Sequence, residues 1–331
     1  MNDKLKEIGF YTLEDYRVRN VSSDSPMWRC EIILTEYCNF SCPYCRGLDS
    51  SIYGKRKIKQ LSLEEVKTII DIWCKNKPLK NIRLSGGEPT LHPNIKEIVK
   101  YAKDKGIKRI AISSNGSNKL SLYKELIKLG VNDYSISLDA CCAEDGDKMA
   151  GGIKGSFNIV ISNIKELSKL VYVSLGMVFT PDNIKKCINT IRFAHNLGVA
   201  DIRIISSAQW DYPLEGLKEI EKGILDAHPI LAYRVKHFIE GRNVRGIKRT
   251  DSNKCYLMID DSVVAGDYHF PCVIYMREKG KAIGKVNPNM RKERIEFIKN
   301  HDCYKDPICK KNCLDVCIDY NNRYEGLRCK K

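Results

Sequence analysis

Three cysteines lie close together in the segment Thr35-Glu36-Tyr37-Cys38-Asn39-Phe40-Ser41-Cys42-Pro43-Tyr44-Cys45, with the spacing C-x3-C-x2-C. Thiolates are soft ligands, and iron–sulfur clusters are normally held by four of them. Three on one loop leave one iron without a protein ligand. An open coordination position is where a metal takes substrate or cofactor, as catalytic zinc sites also show. The spacing alone also admits a zinc loop closed by a distant cysteine or histidine.

Seven more cysteines crowd the C-terminal part: Cys255, Cys272, Cys303, Cys309, Cys313, Cys317 and Cys329, separated by 16, 30, 5, 3, 3 and 11 residues. One four-thiolate cluster is easily supplied from these, and two are not, unless an iron stays open or a non-cysteine ligand enters. A structural zinc site held by four cysteines is the competing reading. Cys141 and Cys142 form a third group. A thiol beside a substrate radical can return a hydrogen atom to it. The alternative is a pair of small buried residues, since cysteine is among the most buried types. The N-terminus MNDKLKEIGF has no apolar signal core, and the longest apolar run, Leu170–Phe179, is half of what a spanning helix needs. A cytoplasmic location follows as the expectation, and in that compartment fifteen cysteines point to metal ligation rather than disulfides.

These side chains must be positioned by a scaffold, and strand and helix patterns alternate along most of the chain. Compact apolar runs mark strands at 30–35, 81–85, 108–113, 133–138, 171–179 and 201–206. Helical spacing fills the intervals at 61–73, 93–105, 121–129, 157–170 and 181–197. Ser62 with Glu65 three residues later forms a capping box, and Gly106, Gly130 and Gly198 stop helices. Six β/α units with buried strands imply parallel pairing in an α/β fold, an open, TIM-like partial (β/α)6 barrel. Chemistry in such folds sits at the C-terminal ends of the strands. The cysteine loop, Gly86–Pro89, Ser114–Gly116 and Asp139–Cys142 all fall there. Beyond about residue 210 the period changes. Residues 214–240 read as helical, and 256–270 as a hairpin around Gly266. The expected division is a preface over 1–29, the barrel over 30–210, a helical connector over 211–254 and a smaller cysteine-rich extension over 255–331.

The loop with Tyr44 before its third cysteine, and Ser85-Gly86-Gly87-Glu88-Pro89 after the second strand, resemble the two signatures of the radical SAM superfamily. The resemblance covers about residues 30–210. It implies a [4Fe–4S] cluster on Cys38, Cys42 and Cys45, with S-adenosylmethionine (SAM) chelating the open iron. Reductive cleavage would then give a 5′-deoxyadenosyl radical that abstracts hydrogen from substrate. Gly86 and Gly87 would approach the SAM ammonium through their carbonyls, with Glu88 supporting that cationic end or capping a helix. Asn115, Ser137 and Asp139 are candidates for the ribose, with turn chemistry as their alternative. Tyr44 and the strand around Ile204 would lie near adenine. The C-terminal cysteines resemble the SPASM/twitch extension, which implies at least one auxiliary [4Fe–4S] cluster. Position 300, where that pattern carries a cysteine, is Asn300.

The net charge is +15, and one basic run, Arg234, Lys236, His237, Arg242, Arg245, Lys248 and Arg249, stands out. Three substrate readings follow, with a peptide or protein first, as for peptide maturases. A small anionic molecule (nucleotide, sugar or aminoglycoside, by oxidation or epimerisation) comes second, and a nucleic acid third. A flavodoxin or ferredoxin would deliver the electron, and no membrane partner is expected. The non-enzymatic alternative is an iron–sulfur or zinc redox sensor.

Overall fold

The computed structural model describes residues 15–47, 50–55, 57–206, 215–242 and 244–328. Six parallel strands form its frame: β1 (Arg29–Thr35), β2 (Asn81–Gly86), β3 (Arg109–Ser114), β4 (Asp133–Ser137), β5 (Tyr172–Phe179) and β6 (Asp201–Ser206). They lie in chain order in one sheet that does not close on itself. The expected partial (β/α)6 barrel is therefore present.

Each strand alternates, and the alternation separates two environments. Cys30, Ile32 and Leu34, Ile82 and Leu84, Ile110 and Ile112, Tyr134 and Ile136, and Ile202 and Ile204 join the main apolar core beneath the helices. Their neighbours Glu31, Arg83, Ser113, Ser135, Ser174 and Arg203 line a central cavity instead. The strands are buried on both faces; the outer face is apolar, and the inner face sets these polar side chains among Ala111, Val178, Ile205 and Val263. A sequence such as DYSIS or DIRIIS shows this period of two directly.

The helices cover the outer face. Ser62 caps the helix Leu63–Cys74 as expected: its backbone N–H donates to Glu65 Oε2 at 2.7 Å and its hydroxyl accepts from the Glu65 N–H at 3.3 Å. The run 181–197 is shorter than expected, a tight turn at Ile184–Lys186 followed by a helix over Cys187–Asn196. Residues 214–240 break into pieces, Lys222–Ala227 and Pro229–Ile239, because Pro229 has no N–H to continue the first helix. A short helix, Ala143–Met149, lies unexpectedly in the loop after β4. The first fourteen residues of the expected preface lie outside the described residues.

The hairpin consists of β7 (Asp261–Ala265) and β8 (Tyr268–Phe270), turning at Gly266 with a φ of 54°. A Cβ on Gly266 would meet the Ile52 carbonyl oxygen at 2.0 Å, so only glycine fits this turn. β7 pairs in parallel with β1, so the extension continues the barrel sheet on its β1 edge. Arg294, on the helix Met290–Asn300, is fully buried and donates to the carbonyls of Met258, Phe270, Asp261 and Pro271. One guanidinium thus satisfies four backbone acceptors around the hairpin. No helix among the described residues is long and apolar enough to cross a membrane.

Candidate active site

The cysteine loop leaves the C-terminal end of β1 and is tied to the end of β2 by backbone bonds. The Gly87 N–H donates to the Thr35 carbonyl and the Glu88 N–H to the Tyr37 carbonyl, both at 2.7 Å. A Cβ on Gly86 would lie 2.4 Å from Thr35 O, and one on Gly87 2.2 Å from Tyr37 O. The paired glycines therefore allow two strand ends to run against each other without side chains between them.

Cys38, Cys42 and Cys45 all line a cavity of about 280 Å³ with Tyr44, Gly86, Gly87, Asn115, Ser137 and Asp139. Cys38 and Cys45 are exposed to it and Cys42 is half-buried. N–H donors already reach the sulfurs: Phe40 N to Cys38 Sγ at 3.4 Å, Gly47 N to Cys45 Sγ at 3.4 Å and Asn115 Nδ2 to Cys38 Sγ at 3.8 Å. The Cys42 thiol is pushed up to about 12 by burial, then by the charges of Asp139, Cys45 and Cys38. The three thiols lie within reach of one another's charge, and a metal centre would neutralise their thiolates. Donors aimed at sulfur and mutual repulsion both fit a cluster on this loop, and hydrogen bonds to sulfur tune such a cluster's potential.

Glu88 is buried behind this cavity. Its Oε1 accepts from Thr90 N at 3.0 Å, Thr90 Oγ1 at 2.6 Å and Ser114 Oγ at 2.9 Å, and its Oε2 from Asn115 N at 2.7 Å. Burial raises its pKa against these bonds. The carboxylate caps the turn Pro89–Leu91 and joins the ends of β2 and β3, which is the capping alternative. It thereby fixes Asn115, whose Nδ2 also donates to Asn39 Oδ1 at 2.8 Å. The Tyr44 hydroxyl donates to Asp139 Oδ2, and Asp139 Oδ1 accepts from Val178 N at 2.6 Å. Burial pushes the Asp139 carboxyl up to about 6. Ser137, at the end of β4, opens onto this cavity and the next.

Sequence reasoning does not single out Arg277. It follows the hairpin on the helix Val273–Arg277, donates to Gly47 O at 2.9 Å and Gly86 O at 2.7 Å, and lines the cysteine cavity. It occupies the Gly86 carbonyl that the resemblance reserves for the SAM ammonium. The adjacent Glu278 pairs with Arg46, one residue past Cys45. Nothing local marks Arg277, since only the pairing of β7 with β1 brings it there.

A second cavity, of about 390 Å³, runs through the barrel and shares Glu31, Ser113 and Ser137 with the first. Its far wall carries Cys255, Cys272, Cys303, Cys309, Cys313 and Cys317 together with His301. Six cysteines in one place satisfy the four-thiolate demand of an auxiliary cluster.

The Ile204 side chain is fully buried in the outer core, because alternation turns Arg203 and Ile205 inward, so the adenine contacts expected of this strand end would fall to its backbone. Cys141 and Cys142 line neither cavity. The short helix Ala143–Met149 draws the chain outward there, and the exposed Cys142 thiol donates to Asp145 Oδ2 at 3.1 Å. Cys329 lies outside the described residues. The basic run is largely consumed internally: Arg234 and His237 pair with Asp315, Arg242 with Asp319 and Asp251, and buried Arg245 donates to the carbonyls of Ser206 and Asn312.

Comparison with known proteins agrees with this geometry. The radical SAM superfamily model matches residues 32–194. The chain is 30% identical over 227 residues to a probable GTP 3′,8-cyclase of Saccharolobus islandicus (strain L.S.2.15 / Lassen #1), an alignment covering 64% of this chain and 70% of the relative. It is 29% identical over 218 residues to one from Sulfurisphaera tokodaii, covering 62% and 66%. The structure superposes on Streptococcus suis SuiB bound to precursor peptide SuiA with a TM-score of 0.59 at 15% identity, covering 93% of this chain and 68% of SuiB. A bound [4Fe–4S] cluster and SAM supply, on one-electron reduction, the 5′-deoxyadenosyl radical that starts the reaction. The cysteine loop, the glycine-paired strand ends and the open barrel above them are features of one family, and the chain belongs to the radical SAM superfamily.

Proposed function

We propose that this radical SAM enzyme abstracts hydrogen from a small anionic molecule bound inside the barrel, of the nucleotide class. One observation carries the reading: Arg83 and Arg203 project from β2 and β6 into the cavity, near enough to repel. Arg83 is pushed down to about 10 by burial first and by Arg203 next. Arg83 Nη1 donates to Ser113 Oγ at 2.9 Å, and Arg203 Nη2 to Ser174 Oγ at 2.7 Å and to Ser135. Asp133 answers Arg83 at 3.7 Å, but it is shared with Arg109 at 2.6 Å. Arg203 is answered by the charges of Asp133 and Asp201 without a close ion pair to either among the described residues. An anionic group between the two guanidiniums relieves their repulsion and accepts in a bidentate fashion. The cavity's size lies in the range of small-molecule sites, and its opening at Ser137 meets the SAM cavity, so the far end of such a substrate reaches the radical. The relatives named as GTP cyclases support the same class.

Within this scheme the cysteine loop with Asn115 holds the cluster, Tyr44 and Asp139 brace the loop against β4, and the polar interior orients substrate. An acidic flavodoxin or ferredoxin suits the basic chain as electron donor. Arg203→Ala is expected to raise the KM for the responsive nucleotide by roughly tenfold to a hundredfold, the worth of bonds to a charged group, while substrate-free SAM cleavage stays unchanged. An unaltered KM sinks the reading. A peptide substrate is the second reading, favoured by the likeness to peptide-bound SuiB. An acidic peptide that accelerates 5′-deoxyadenosine formation where nucleotides do not would replace the first reading with this one.

A further inference from the structure

We propose that His301 is a metal ligand whose imidazole joins Cys303 and Cys309 in holding an auxiliary iron–sulfur cluster. The resemblance of the C-terminal cysteines to a SPASM/twitch extension makes an auxiliary cluster an expectation here, but it does not imply a nitrogen ligand. The proposal is independent of which substrate the barrel takes.

The donor atoms of His301, Cys303 and Cys309 all lie within 4.8 Å of one another. His301 Nε2 is 3.5 Å from Cys309 Sγ. Cys255, Cys272, Cys313 and Cys317 line the same cavity and complete the supply of thiols around this group.

The imidazole is held in place from several sides. His301 ends the helix Met290–Asn300, and its N–H donates to Phe297 O at 2.9 Å. Its ring stacks on Phe297 with centroids 4.6 Å apart and stands edge-on to Tyr275 at 6.0 Å. Lys254 Nζ donates to its carbonyl at 2.9 Å. The neighbouring Asn300 turns back to bond its own helix at Glu296, so it leaves the site to His301. Imidazole can replace thiolate on cluster iron and raises the reduction potential when it does. Binding iron would release the thiol protons of the cysteines to solvent, while His301 binds as neutral imidazole.

The test uses the full chain, reconstituted without oxygen with ferrous iron and sulfide, then reduced. Pulsed EPR should show a strongly coupled ¹⁴N on an auxiliary cluster, and His301→Ala should lose it. His301→Cys should keep the iron, lose the nitrogen coupling and lower that cluster's midpoint potential. Comparing the melting of the metal-free proteins separates a ligand loss from a folding defect. A fully iron-loaded wild type without ¹⁴N coupling overturns the proposal. So does His301→Ala with unchanged iron content and potential, or stoichiometric zinc bound at these residues in protein isolated without oxygen.

Discussion

The two cysteine regions use the same ligand in opposite surroundings. At the end of β1, two of three thiols are exposed to a cavity, and the donors around them are mostly backbone N–H groups. At the far wall of the barrel, six thiols and an imidazole crowd together; the Cys255, Cys272 and Cys313 thiols are all held well above the ordinary range, Cys272 by burial and the other two by a neighbouring thiol and by burial. Three ligands on an open loop leave iron free to take a cofactor. A surplus of ligands in the barrel wall could saturate a metal centre instead, so the two regions differ in the surroundings they offer as well as in cysteine count.

The largest effect that tests this contrast is loss of a loop thiol. Cys42→Ala should reduce 5′-deoxyadenosine formation to the level of metal-free protein, while Cys317→Ala retains SAM cleavage. Equal loss in both would erase the distinction between the two regions. Iron content and product chromatography provide the readout.

The hairpin supplies the next effect. Burial pushes the imidazole of His269 down to about 4, against its contact with Glu293 Oε2 at 2.8 Å. Its folded-state pKa lies below the ordinary value of about 6.5. Its contribution to stability is therefore complete above that value and is lost as pH falls toward 4, by up to about 3 kcal/mol. His269→Gln should flatten this acid limb in denaturant titrations of the metal-free protein. An unchanged limb would mean that the hairpin does not depend on a neutral His269.

The smallest effect concerns the link between the regions. Arg277→Ala frees the Gly86 carbonyl for the SAM ammonium and should tighten SAM binding about tenfold, near 1.4 kcal/mol. Isothermal titration of reconstituted protein measures it. Unchanged affinity would show that the extension touches the SAM cavity without shaping it.

Much of the barrel is legible in the chain because its signals are local. The capping box at Ser62, the glycines after helices and the strand runs each act within a few residues. The polar inner face is legible too, in the alternation of NIRLSG and DIRIIS, although compact apolar runs suggest strands apolar on both sides. Ile204 faces the outer core for that reason, since a shift of one position along a strand reverses its face. The basic run from Arg234 to Arg249 misleads because charge in sequence does not show its partners. Asp315 and Asp319 lie more than seventy residues away from Arg234 and Arg242.

Residue type and short spacing suffice for the cysteine loop, the paired glycines, the order of β/α units and the supply of C-terminal thiols. Folding in three dimensions was needed to bring Arg277 to the SAM cavity, to let Glu88 join β2 to β3, and to stand His301 among the thiols. Arg277 meets Gly86 across 191 residues, Glu88 meets Ser114 across 26, and His301 stands only eight residues from Cys309. The Arg277 contact depends on the pairing of β7 with β1, and no local pattern encodes a distance across the fold.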